Sequence, residues 1–167
     1  MIKNMMKISV VTWLMWTGVA EAAPQTLCRS NEQVFFSCSL GKKIVSVCMT
    51  PDHAKVPYME YRFGTARKIE MKYRSDAQQP KFSRVAVNYA SDTATILWFT
   101  NADTDYLLNF PTKGGPDLEV KQHGKTISQM ACQGGWAAAV GEHDQPLPFI
   151  SEKPDADYAE AQKYWQH

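Results

Sequence analysis

Four cysteines, four histidines and a few closely spaced carboxylates are the side chains here that can do chemistry. The cysteines are Cys28, Cys38, Cys48 and Cys132. As thiolates they would be nucleophiles or metal ligands. No Cys-x-x-Cys and no matching histidine pair accompanies them, which argues against zinc. An even number in a chain with export features points instead to two disulfides. His53, His123, His143 and His167 fall in predicted loops or in the C-terminal tail, where a histidine is more often solvated than catalytic. Glu60 and Glu70 can approach across neighbouring strands, but strand faces usually carry such carboxylates in ordinary ion pairs. Asn101, Asp103 and Asp105 alternate around a turn and offer oxygens to calcium, without the rest of a ligand loop. A Gly-x-Ser-x-Gly elbow, a His-Glu-x-x-His, a phosphate-binding glycine loop and a dinucleotide fingerprint are all absent. The sequence therefore predicts a non-enzymatic protein with no catalytic residue, no metal and no cofactor.

The compartment is read from residues 1–23. Lys3 and Lys7 precede an apolar run from Ile8 to Val19, and Ala20-Glu21-Ala22-Ala23 follows. That order predicts a cleaved signal peptide. The run is shorter than the roughly 20 residues a membrane helix needs. Cys28 follows Leu27 beyond the cut, unlike the modified cysteine of a lipoprotein. The mature protein is expected to be periplasmic or secreted, without a membrane anchor. Removing Lys3, Lys7 and Glu21 from 18 basic and 17 acidic residues leaves the charges balanced. A balanced chain has no handle on nucleic acid or anionic membrane.

Alternating strands must position these groups. Val34 to Leu40 and Lys43 to Met49 flank Gly41-Lys42, a plausible type II′ turn. In that register Cys38 opposes Val45 and Cys48 opposes Phe35. Val34, Phe36, Cys38, Val45, Val47 and Met49 then share the apolar face, and Cys48 points to the other side with Ser37, Ser46 and Phe35. A three-residue turn would put both cysteines on one face, still not opposite one another. Cys38–Cys48 is therefore the least favoured bond. Met130 and Cys132 share a face of the late strand, so Cys132 can reach Cys38 in the core, which leaves Cys28 to pair with Cys48. Further alternating runs follow at Tyr58–Phe63, Lys68–Tyr73, Arg84–Tyr89, 93–100, 105–110, 117–121 and 125–132. About nine short strands predict a mostly β, single-domain antiparallel sandwich or small barrel. The domain is expected to span 24–133. Residues 134–167 form a C-terminal tail with a short helix near 154–165, its Tyr158, Ala161 and Trp165 on one side, packed on the sheet rather than free to bind a partner.

Cys28 to Cys38, with Glu32, Phe36 and Ser37 between, then Gly41-Lys42-Lys43, Val45-Ser46-Val47-Cys48, Tyr61-Arg62-Phe63-Gly64 and Gly124-Lys125-Thr126-Ile127 with Cys132, resembles a group of small exported bacterial disulfide-containing β proteins of unassigned role. The resemblance runs from Cys28 to Cys132 and implies fold and compartment, not function.

Binding is the remaining role. Tyr58, Tyr61, Arg62, Trp98 and Tyr106, with Phe63, form an aromatic and Arg-bearing set of the kind that anchors interfaces. They are the expected partner-binding residues. The expected partner is a protein, a toxin or cell-wall-degrading enzyme, which this chain would neutralise as an inhibitor or immunity protein by plugging its cleft. The alternatives are a small-ligand-binding module, marked by a pocket lined by Trp98 and Tyr106, and an accessory component of an envelope assembly.

Overall fold

A computed structural model describes residues 25–51, 53–139 and 146–165. The expected signal segment up to Ala23 lies outside the described residues, as do His143 and His167.

The chain starts with a hairpin. β1 (Gln33–Leu40) and β2 (Lys43–Met49) are joined by two residues, and Gly41 takes a positive φ of 77° as the first residue of a II′ turn must. Cys38 pairs with Val45 as the alternation requires. Between Val34 and Phe36 the register shifts by one residue. This bulge places both Phe35 and Phe36 in the core and moves Cys48 opposite Val34 rather than Phe35. β3 (Tyr58–Thr65) and β4 (Lys68–Asp76) extend the sheet. A second bulge at Phe63/Gly64 carries β3 on through Gly64, where a Cβ would lie 2.3 Å from the Lys68 carbonyl oxygen.

A second meander follows: β5 (Phe82–Asn88), β6 (Thr93–Asn101), β7 (Thr104–Pro111), β8 (Asp117–Gln122) and β9 (Lys125–Ala131). His123 and Gly124 both take positive φ, giving the β8–β9 hairpin its tight turn. The two sheets face each other across an aromatic core. Tyr73 stacks on Phe99 at 4.2 Å, Phe36 meets Phe110 edge-on at 4.9 Å, and Tyr61 packs on Phe99. The first sheet runs in the order β10 (Gln133–Ala138), β1, β2, β3, β4, and the second in the order β11 (Ile150–Glu152), β5, β6, β7, β8, β9. This is a sandwich, not a closed barrel.

The predicted end of β structure at Cys132 needs correction. β10 (Gln133–Ala138) crosses back to the first sheet and pairs with β1, and Cys38–Cys132 ties the crossing. Its Gly-Gly-Trp-Ala-Ala sequence shows no alternation because five of its six residues are exposed. β11 (Ile150–Glu152) and β12 (Ala156–Asp157) run parallel to β5. The helix therefore starts later than the sequence suggests. Asp157 caps α1 (Tyr158–Ala161) by accepting from the Glu160 N–H at 2.8 Å, and a 3₁₀ turn (Gln162–Trp165) completes it.

That turn builds a second core on the outer face of the second sheet. Ala161 and Trp165 cover Val85, Val87, Ile96, Trp98 and Leu107. Trp165 meets Trp98 edge-on at 5.5 Å, and Tyr164 stacks on the same indole. Tyr158 lies 46% exposed, not on the buried side with Ala161 and Trp165.

Candidate functional site

The expected partner-binding set divides among three places. Strand alternation puts Tyr58, Glu60 and Arg62 on the outer face of the first sheet and Tyr61 in the core between sheets. Trp98 opposes Leu107 on the outer face of the second sheet, whereas Tyr106 opposes Phe99 on its inner face. A pocket shared by Trp98 and Tyr106 therefore does not form. Tyr61, Arg62 and Trp98 are no more than 5% exposed, which removes them as direct contacts.

Arg62 is instead the hub of a buried ion network. Residues 25–32 lie over the outer face of the first sheet, tied down by the Cys28–Cys48 disulfide. Arg62 Nη1 donates to the Leu27 carbonyl at 2.9 Å and to Glu32 Oε2 at 2.7 Å, and Nη2 donates to Glu32 Oε1 at 2.7 Å. Its Nε donates to Glu60, whose other oxygen accepts from Arg74. Tyr58 donates its phenol to Glu32 while Arg74 lies over its ring. Burial would raise the Glu32 carboxyl, but Arg62, Tyr58 and the Arg29 N–H hold it down at about 2. The same carboxylates push Arg62 up. Every strong donor here has an acceptor, so the cluster fastens the N-terminal segment rather than receiving a ligand. Cys28, Glu32 and Cys48 bring their donor atoms within 4.8 Å of one another, but the two sulfurs are spent in the disulfide.

Other candidates also separate. Glu60 serves Arg62 and Arg74, whereas Glu70 pairs with Lys43, so these carboxylates do not meet. Asp103 is exposed and accepts from Thr104 and Gln122. Asp105 is buried, with Thr100 donating to Oδ1 at 2.5 Å and Oδ2 unpartnered among the described residues. Asp103 and Asp105 thus serve separate hydrogen-bond sets among the described residues. Tyr106 borders a cleft of about 220 Å³ between the sheets, walled by Tyr61, Phe63, Met71 and Met130.

A larger concavity lies elsewhere, on the outer face of the second sheet beside the C-terminal turn. Its volume is about 490 Å³. The floor is two cross-strand rows: Asn109 opposite Asp117, and Glu119 opposite Gln129, with Lys121 at one end. Asn109 Nδ2 donates to Asp117 Oδ1 at 2.8 Å. Glu119 accepts from the Thr126 hydroxyl, and Lys121 Nζ lies 3.6 Å from it. Lys121 also donates to the Gln162 amide oxygen, which accepts from the Trp165 indole as well. Burial raises the Asp117 carboxyl; donation from Asn109 and Gln129 opposes this, and the Glu119 charge adds to the rise. One wall is an aromatic pair, Tyr89 and Tyr158, with ring centroids 5.3 Å apart and both rings open to solvent. Burial, then the neighbouring Tyr158 and the groove's carboxylates, raise the Tyr89 phenol.

The alternation of Asp117, Glu119 and Lys121 on one face of β8 is visible in the sequence. What walls that face is not, because Tyr158 and Trp165 arrive from a segment more than thirty residues on. No family model, curated protein or solved structure matches the chain. The resemblance along Cys28 to Cys132 thus rests on the disulfide-containing β frame, whose two bonds join Cys28 to Cys48 and Cys38 to Cys132.

Proposed function

We propose that this chain is a non-catalytic binding protein of an oxidising, extracytoplasmic compartment, and that its recognition surface is the groove on the second sheet. The groove itself carries the reading: a concavity of about 490 Å³ with a hydrogen-bonding floor and an aromatic wall. Small-ligand sites occupy roughly 300–1,000 Å³ and combine apolar walls with a few convergent polar groups. The floor residues project from paired strands and are already oriented by one another, which limits the ordering entropy lost on binding. Two disulfides suit an oxidising compartment, and no described helix is long and apolar enough to cross a membrane.

Native mass spectrometry of the protein isolated from its own compartment tests this. A non-covalent adduct is expected on the wild type and not on Gln129→Trp, whose indole would overhang the floor from an exposed position. An adduct equal in both, or absent from both, refutes the groove.

The second reading is a protein target, a toxin or cell-wall-degrading enzyme blocked at its cleft. The solvent-open Tyr89–Tyr158 pair favours it, since tyrosines commonly anchor interfaces. Inhibition of such an enzyme should then disappear in Tyr89→Ala/Tyr158→Ala and persist in Glu70→Ala.

A further inference from the structure

We infer that the occupant of the groove is a short saccharide; this rests on the groove being the recognition surface. A sugar ring is amphipathic in a particular way, with C–H groups on its faces and hydroxyls around its edge. The groove has the complementary form. Tyr89 and Tyr158 place two aromatic rings on one wall, while Asn109, Asp117, Glu119 and Gln129 line the floor.

Each hydroxyl both donates and accepts, so its site needs both kinds of partner close together. The floor interleaves them. Asn109 and Gln129 amides offer donors and acceptors, Asp117 and Glu119 accept, and the two cross-strand rows set one pair beside the next. Successive rows are two residues apart along β8, about 6.8 Å. The volume of about 490 Å³ accommodates one or two pyranose rings.

Other small-ligand classes fit less well. An anionic ligand would meet Asp92, Asp117 and Glu119 against Lys121, which Glu119 and Gln162 already engage. A flat apolar ligand would leave the floor's amides and carboxylates desolvated without partners. A polyhydroxylated ring satisfies the floor and the wall together.

The test is titration of the ¹⁵N-labelled protein with cellobiose, maltose and N,N′-diacetylchitobiose at millimolar concentration, followed by two-dimensional NMR. At least one disaccharide should shift the side-chain amide resonances of Asn109 and Gln129. Binding should weaken about tenfold or more in Tyr89→Ala/Tyr158→Ala, the equivalent of one lost aromatic contact. It should persist in Glu70→Ala, on the first sheet away from the groove. Both tyrosines are solvent-open, and the same spectra report whether each variant is folded. No groove shift with any of the three sugars, or shifts unchanged in the double alanine variant, overturns the saccharide. If the native adduct is nonetheless present and lost in Gln129→Trp, the groove stands and only the ligand class falls. If the adduct is missing too, both fall.

Discussion

Glu32→Gln removes one charge from the Arg62 network and almost nothing else. The Glu32 side chain is 1% exposed, and its two oxygens accept from Arg62 Nη1 and Nη2, both at 2.7 Å. Its carboxyl is lowered from 4.5 to about 2. A folded-state value below the unfolded one means the contribution is full above about pH 4.5 and is lost as pH falls toward 2. At about 1.4 kcal/mol per unit, the ionised form contributes at most about 3 kcal/mol. Breaking a buried pair outright costs about 3–5 kcal/mol, but glutamine keeps the shape and one acceptor, which favours the lower figure. The expected loss at pH 7 is about 2–3 kcal/mol, or about 6–15 °C in melting temperature for a domain of this size. Since glutamine imitates the protonated acid, the difference between wild type and variant should shrink from pH 5 to about pH 2. Urea unfolding at pH 7, 4 and 2.5 measures it. A loss below about 0.5 kcal/mol at pH 7 would place Glu32 in the class of surface pairs. A loss that stays constant with pH would show that the effect is packing, and either result refutes the electrostatic account.

Four further outcomes are expected. In the chain-entropy account, Cys38→Ala/Cys132→Ala should cost about 5 kcal/mol and Cys28→Ala/Cys48→Ala about 3, because the bonds close spans of 94 and 20 residues; denaturation without reductant gives the order. Trp165→Ala should cost about 3–5 kcal/mol and change the near-ultraviolet circular dichroism of Trp98, since it empties the centre of the second core. Gly64→Ala should destabilise by more than about 2 kcal/mol in the same unfolding assay, because its methyl meets backbone 2.3 Å away and the chain must shift. Asp117→Asn should raise the melting temperature at pH 7. The Asp117 carboxyl is raised, so its relative stabilisation is present below about pH 3.8 and lost as pH rises; a scan showing no gain above that range contradicts its burial with no cation partner among the described residues.

Period-two alternation and two-residue turns made the first nine strands legible, and the turn at Gly41-Lys42 also separated Cys38 from Cys48. What escaped depends on contacts between distant segments. The bulge at Phe35 reverses one residue's facing without any sign in composition. β10 pairs through its backbone on an exposed edge, so its side chains need not alternate. Arg62 looked like an interface residue because its type is common there. Only the fold reveals that Glu32, thirty residues earlier, lies on top of it. Tyr61 and Trp98 are buried for the simpler reason that most strand aromatics are core.

The groove is best understood as the place where a cover stops. Over β5, β6 and the adjoining part of β7, the outer face of the second sheet is apolar: Val85, Val87, Ile96, Trp98 and Leu107. The C-terminal turn buries that half with Ala161 and Trp165. Over β8 and β9 the same face turns polar: the turn still reaches Lys121 through Gln162 and the Trp165 ring, and beyond it lie Asp117, Glu119 and Gln129. A cover extended further would have to desolvate the Asp117 and Glu119 carboxylates, which costs more than the burial returns unless each finds a partner. The described part of the tail packs on the apolar half, and Tyr158 stands beside Tyr89 at the margin. Trp165 thus has two consequences at once: it stabilises the sheet beneath it, and it lines the groove where the cover meets the polar surface. Loss of ligand in Trp165→Ala, under conditions where the sandwich remains folded, would separate the second consequence from the first.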